Sequence, residues 1–125
     1  MLKKLELNFN THLELKNYAD KKDIHYSASA FDSESLNFLI SLDVPFIKIP
    51  SGEITNAPLL WKFAKFKNKI FLSTGMSTIS DIELALAIIT HSLNFNKEPS
   101  SLNEIWTSWN NDNFRQKLQK KITLM

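Results

Sequence analysis

Cysteine is absent from the 125 residues, which removes both a disulfide framework and any thiolate metal site. The same absence makes a cytoplasmic location the default expectation. No apolar run approaches the roughly 20 residues of a membrane span, so no membrane association is expected. The opening Met1-Leu2-Lys3-Lys4-Leu5-Glu6 lacks the apolar core of a signal peptide. Histidine is scarce and scattered: His12, His25 and His91 have no metal-ligand spacing, so no metal site is assigned to them. There is little excess charge, +2 overall, and the lysines read as dispersed along the chain. A basic stripe with interleaved aromatics, the mark of a nucleic-acid surface, is missing. Glycine is scarce too, with only two, beside an abundance of Asn, Lys, Ile and Phe from which no function is drawn. What remains is one modest domain's length of ordinary composition, 43% hydrophobic and 22% charged.

Along that length, helical and extended patterns alternate. A helix is expected from about Thr11 to Lys22 with Asn10 or Thr11 as cap, then a short strand over Ile24-His25-Tyr26-Ser27-Ala28. Phe31-Asp32-Ser33-Glu34-Ser35 opens a helix carrying Leu36, Phe38, Leu39, Ile40 and Leu42 on a helical period. Val44 to Ile49 reads as the second strand. Pro58 suits the first turn of a helix through Phe66. Lys69 to Thr74 reads as the third strand, with Gly75 opening its turn. Ser80-Asp81-Ile82-Glu83 has the form of a capping box, and an amphipathic helix follows into Leu93. A polar, Asn-rich stretch over about 94–113 contains a helix-like piece near Ile105 to Trp109. Trp106 and Trp109 share a face there and are expected to pack down onto the wall beneath. A helix from Phe114 to Lys120 then leads to a fourth strand, Ile122-Thr123-Leu124-Met125. Such alternation implies α/β architecture with right-handed crossovers and a parallel sheet.

In parallel α/β folds the chemistry collects at the C-terminal ends of strands. Three such ends present hydroxyls here: Ser29, Ser51 and Ser73 with Thr74. The run Phe46-Ile47-Lys48-Ile49-Pro50-Ser51-Gly52-Glu53-Ile54-Thr55-Asn56 adds a lysine inside an apolar strand and a carboxylate in the turn. A charged side chain there needs a place that can hold its charge. One ammonium, several hydroxyls and backbone N–H groups are the usual means of gripping a phosphate. A serine after a strand is, taken singly, most often a turn or cap residue, and Glu53 alone reads as a solvated acid. The joint pattern is what points to an anion site.

Three blocks in this chain resemble the sialic acid synthases, which include N-acetylneuraminate synthase and its legionaminate and pseudaminate relatives. They are Tyr26-Ser27-Ala28-Ser29-Ala30-Phe31-Asp32, the Phe46 to Asn56 run with Leu59-Leu60, and Leu72-Ser73-Thr74-Gly75-Met76. The likeness runs from about Leu5 to Leu93 and resumes at Lys121 to Met125, which leaves 94–113 as a variable insert. It implies that residues 1–125 are part of a (β/α)8 TIM barrel, about four parallel strands with intervening helices. It further implies a cytoplasmic homodimeric transferase of carbohydrate biosynthesis. That enzyme condenses phosphoenolpyruvate with N-acetylmannosamine or a related N-acyl amino-sugar. By the same resemblance Ser29, Lys48, Ser51 and Ser73 bind phosphoenolpyruvate and Glu53 is the catalytic residue near the reacting carbons. A divalent metal, Mn²⁺ or Mg²⁺, is implied for the full-length family, with its ligands absent from this chain.

The resemblance also implies missing parts: the family's first two strands, a His-Cys-Thr block after Met125, two later metal-binding histidines and a C-terminal antifreeze-like domain. Ser29-Ala30 stands where the family often has Thr-Pro, and Asp23 where it usually has Gly. The chain is thus expected to be an internal piece, inactive alone and prone to aggregate or pair with a complementary fragment. A non-catalytic half-barrel that only associates with another chain is the alternative, and a self-contained flavodoxin-like sheet is a third.

Overall fold

The structure, a computed structural model, describes residues 7–125. Among these residues the order is α1 (Phe9–Lys21), α2 (Ser33–Ser41), β1 (Phe46–Ile49), α3 (Ala57–Ala64), β2 (Lys69–Leu72), α4 (Ile79–Asn94), α5 (Leu102–Trp109), α6 (Asp112–Lys121) and β3 (Ile122–Leu124). A single 3-10 turn, Ser51–Glu53, links β1 to α3. The strands form one parallel sheet in the order β1-β2-β3. Its register aligns Ile47 with Ile70 and Ile122, and Lys48 with Phe71 and Thr123. This is the α/β arrangement of parallel strands crossed by helices that the alternation predicts.

Strand alternation divides the sheet into two faces. Ile47, Ile49, Ile70 and Leu72 are each 0% exposed and share one core with Leu60 and Phe63 of α3 and Ala85, Ile88 and Ile89 of α4. Burying each such large aliphatic side chain contributes about 1.5–3 kcal/mol. The opposite face carries Phe46, Lys48 and Phe71, which are only half-buried. Phe46 and Phe71 meet there edge to face, with ring centroids 5.2 Å apart.

Helix starts follow capping chemistry, with two departures from expectation. Asn8, rather than Asn10 or Thr11, caps α1: its side-chain oxygen accepts from the Thr11 backbone N–H at 2.9 Å. The capping box of α4 joins Thr78 and Asp81, two residues upstream of the expected start, so Ser80 and Glu83 fall inside the helix. Thr78 holds extended backbone angles, as an N-cap requires, whereas Ser80 is already helical. Asp32 caps α2 and Asn56 caps α3, with Pro58 in the first turn of α3 as expected.

The expected first strand is the largest difference. Ile24 to Ala28 forms no strand; the segment touches β1 through one parallel bridge, Ser29 to Lys48. The Ser27 hydroxyl donates to the Phe46 carbonyl at 2.7 Å. With β1 on one side and no strand among the described residues on the other, the segment lacks the second ladder that would regularise it. β1 itself begins at Phe46 rather than Val44, because Pro45 has no N–H to give the ladder.

The 94–113 stretch contains α5 and the start of α6, which pack against α4. His91, buried on α4, bonds through Nδ1 to the Ser108 hydroxyl of α5 at 2.7 Å. Trp109 donates from its indole N–H to Glu83 at 3.1 Å. Trp106 and Trp109 lie against the core, as their spacing predicts. No helix among the described residues is long and apolar enough to cross a membrane.

Candidate active site

The C-terminal strand ends are stitched together past the strands themselves. The Ser73 N–H donates to the Ile49 carbonyl at 3.0 Å, and the Met125 N–H to the Leu72 carbonyl at 2.9 Å. Thr74 returns both its N–H, at 2.9 Å, and its hydroxyl, at 2.8 Å, to the Met125 carbonyl. The two loops that follow β1 and β2 are therefore held side by side. Between them lies an open depression of about 270 Å³ lined by Ser51, Gly52, Thr55, Gly75, Ser77 and Asp81, among others.

Gly75 lets these loops approach. A Cβ placed on it would lie 3.7 Å from the Ser51 hydroxyl, so a methyl group fits but a branched side chain would crowd it. The left-handed position of this turn is its neighbour Met76, at φ 63°, fully exposed to solvent.

Lys48 occupies the sheet face turned away from the helices, in one row with Ser29, Phe71 and Thr123. Ion pairs among the described residues join Lys16 to Asp20, Lys67 to Asp43 and Arg115 to Asp112. None of these described pairs engages Lys48.

Glu53 is placed differently. Its Oε2 accepts from the side-chain amide of Asn56 at 2.7 Å, and Asn56 in turn accepts from the Leu59 N–H at 3.3 Å. The carboxylate is thereby tied to the N-terminus of α3, where the helix dipole favours it. It does not line the depression that Ser51 and Gly75 share. At the far side of that depression the Thr78 hydroxyl and N–H hold the Asp81 carboxyl below its usual range. Neither Lys48, Ser29 nor Ser73 lines this depression.

The structure therefore brings Ser29 beside Lys48, and Ser51 beside the Ser73 to Gly75 loop, while Glu53 faces α3. Ser77, two residues past Gly75, also lines the depression and is not among the residues the sequence singles out. Among the described residues no three His, Asp or Glu side chains converge as a metal site. His12 pairs with Tyr26, His91 with Ser108, and His25 is exposed.

The profile of the NeuB family covers residues 1–125. The chain belongs to the NeuB family. It is 47% identical over 89 residues to N,N'-diacetyllegionaminic acid synthase of Campylobacter jejuni, an alignment spanning 71% of this chain and 27% of that protein. It is 42% identical over 79 residues to N-acetylneuraminate-9-phosphate synthase of Drosophila melanogaster, spanning 63% and 21%. The chain thus spans about a quarter of the length of these curated NeuB-family relatives. The crystal structure of N-acetylneuraminic acid (sialic acid) synthetase from Leptospira borgpetersenii, in complex with citrate, superposes with a TM-score of 0.68 at 26% identity. That match covers 95% of this chain and 43% of the other.

Proposed function

We propose that this chain carries the phosphoenolpyruvate-binding corner of a sialic acid synthase-type transferase. The observation that carries the reading is Lys48, an ammonium without a carboxylate partner among the described residues. It stands in one sheet row with Ser29, at a strand end that also presents Ser51 and, on the neighbouring strand, Ser73. Family membership supports the reaction class.

The substrates are phosphoenolpyruvate and an N-acyl amino-sugar such as N-acetylmannosamine. Lys48 neutralises the phosphate or carboxylate, and the three serine hydroxyls and nearby N–H groups fix its orientation. The enol carbon attacks the sugar aldehyde carbon, forming a C–C bond while the aldehyde oxygen takes up a proton. Water adds to the resulting cation at the carbon bearing the phosphate ester. The C–O bond to phosphate then breaks, leaving the 2-keto acid and inorganic phosphate. Proton transfer is assigned to Glu53 on the family resemblance; its carboxylate is tied to Asn56 at the start of α3 and does not line the depression beside Ser51 and Gly75.

The family resemblance also calls for Mn²⁺ or Mg²⁺. The described residues do not fit as its site, since no three suitable donors converge, and none of these steps is routed through it. A second reading, a non-catalytic half-barrel that associates with a complementary chain, is favoured by the half-buried Phe46 and Phe71 on the sheet face turned from the helices.

A coupled phosphate-release assay with phosphoenolpyruvate, N-acetylmannosamine and Mn²⁺ separates the possibilities. The 125-residue chain alone is expected to bind phosphoenolpyruvate without turning it over. Turnover by the purified chain would show that it holds a complete site. Failure to bind phosphoenolpyruvate at all would leave the associating half-barrel as the better account.

A further inference from the structure

Lysines that read as dispersed in the sequence are gathered by the fold at the end of the sheet opposite the candidate active site. Lys67 lies just before β2 and Lys69 is its first residue, while Lys117, Lys120 and Lys121 come from the last turns of α6, just before β3. Together they line a shallow depression of about 490 Å³, within the roughly 300–1,000 Å³ typical of small-ligand sites. Strands of three or four residues separate it from the C-terminal ends by on the order of 10 Å.

We propose that this depression binds a compact polyphosphate-class anion. One carboxylate is present nearby: Asp43 meets Lys67 at 2.6 Å, with both side chains about 70% exposed. The other four ammoniums have no ion-pair partner among the described residues. The C-terminal dipole of α6 accounts for Lys120 and Lys121 one at a time. It does not account for Lys67 and Lys69, brought against them from a different element. Like charges so gathered oppose folding, and a multivalent anion relieves all of them at once. Asn68 does not compete for the ligand, because its amide donates to the Val44 carbonyl at 3.0 Å. A polyphosphate chain can reach several ammoniums, whereas a single phosphate meets fewer, so affinity rises with the number of phosphates. The proposal is independent of the phosphoenolpyruvate reading.

The test is calorimetric titration of the 125-residue chain with tripolyphosphate, inorganic phosphate and a single-stranded oligonucleotide, in a low-salt buffer. Saturable tripolyphosphate binding is expected, at least tenfold tighter than that of inorganic phosphate. It should weaken at least tenfold in the triple variant Lys117→Gln, Lys120→Gln, Lys121→Gln. The double variant Lys67→Gln, Lys69→Gln, on a separate element, guards against misfolding of the first and should weaken it as well. Lys48→Met should leave it unchanged. Absence of saturable binding, indifference to both sets of lysine variants, or loss on Lys48→Met would overturn the proposal. So would tighter binding of the oligonucleotide than of tripolyphosphate at these lysines, which would mark a nucleic-acid surface instead.

Discussion

Ser29 pairs with Lys48 in parallel register on the free edge of β1. The pair sets a hydroxyl and an ammonium side by side on the sheet face that the helices leave open. Both residues are half-buried, reachable by a ligand yet partly desolvated. In such surroundings a charge-assisted hydrogen bond is worth more than at an open surface.

The contact between the loops after β1 and β2 depends on the small size of residue 75. Gly75→Ala should fold normally and bind phosphoenolpyruvate nearly as well, since its new methyl meets the Ser51 hydroxyl at an ordinary 3.7 Å. Gly75→Val should displace Ser51 and weaken binding by about tenfold, roughly one hydrogen bond's worth. Parallel titrations of the two variants check this.

The helix α5 is fastened to α4 through a buried pair. Ser108→Ala removes the hydroxyl that partners His91 Nδ1 and should cost about 1–3 kcal/mol, the penalty of an unsatisfied buried polar group. Urea denaturation of the two proteins measures the difference.

The cap of α2 carries a pH signature. The Ser35 backbone N–H, then the Ser35 hydroxyl, hold the Asp32 carboxyl below its ordinary value of 3.8. A lowered folded-state value stabilises the fold fully above 3.8, and that contribution fades as pH falls through the folded value. Asp32→Ala should therefore destabilise by about 1 kcal/mol at neutral pH. Denaturation midpoints across the acid range should show the gap closing only below the ordinary carboxyl value.

Asp23 sits at φ 55°, the left-handed region that glycine enters most easily. Asp23→Gly should be neutral or stabilising by about 0.5 kcal/mol, relief of strain being offset by backbone entropy. Thermal melts of both proteins test it.

Much of the fold is legible in the amino-acid sequence, where the determinants are local. Buried Ile47, Ile49, Ile70 and Leu72 announce themselves as short apolar runs, and Asp32, Asn56 and Pro58 mark helix starts by chemistry between near neighbours. The strand-end hydroxyls and Lys48 stand out because their blocks are contiguous. What depends on distant neighbours is hidden. Ile24 to Ala28 has strand composition but only one bridge to β1, and composition does not record how many partners a segment finds. The capping box of α4 is easily misplaced because Ser80 and Thr78 are both competent caps and only backbone geometry separates them. The lysine cluster is invisible for a related reason: Lys67 and Lys117 are far apart in sequence and meet only through β2–β3 pairing.

The most direct test of the phosphoenolpyruvate corner is amide chemical-shift mapping of the isotopically labelled chain during titration with phosphoenolpyruvate. Saturable shifts are predicted at Ser29, Lys48, Ser51 and Ser73, weakened roughly 10- to 100-fold in Lys48→Met, which removes a charge-assisted hydrogen bond of about 1.5–3 kcal/mol. Shifts confined to the lysines at the opposite end of the sheet, or an affinity unchanged by Lys48→Met, would contradict the assignment.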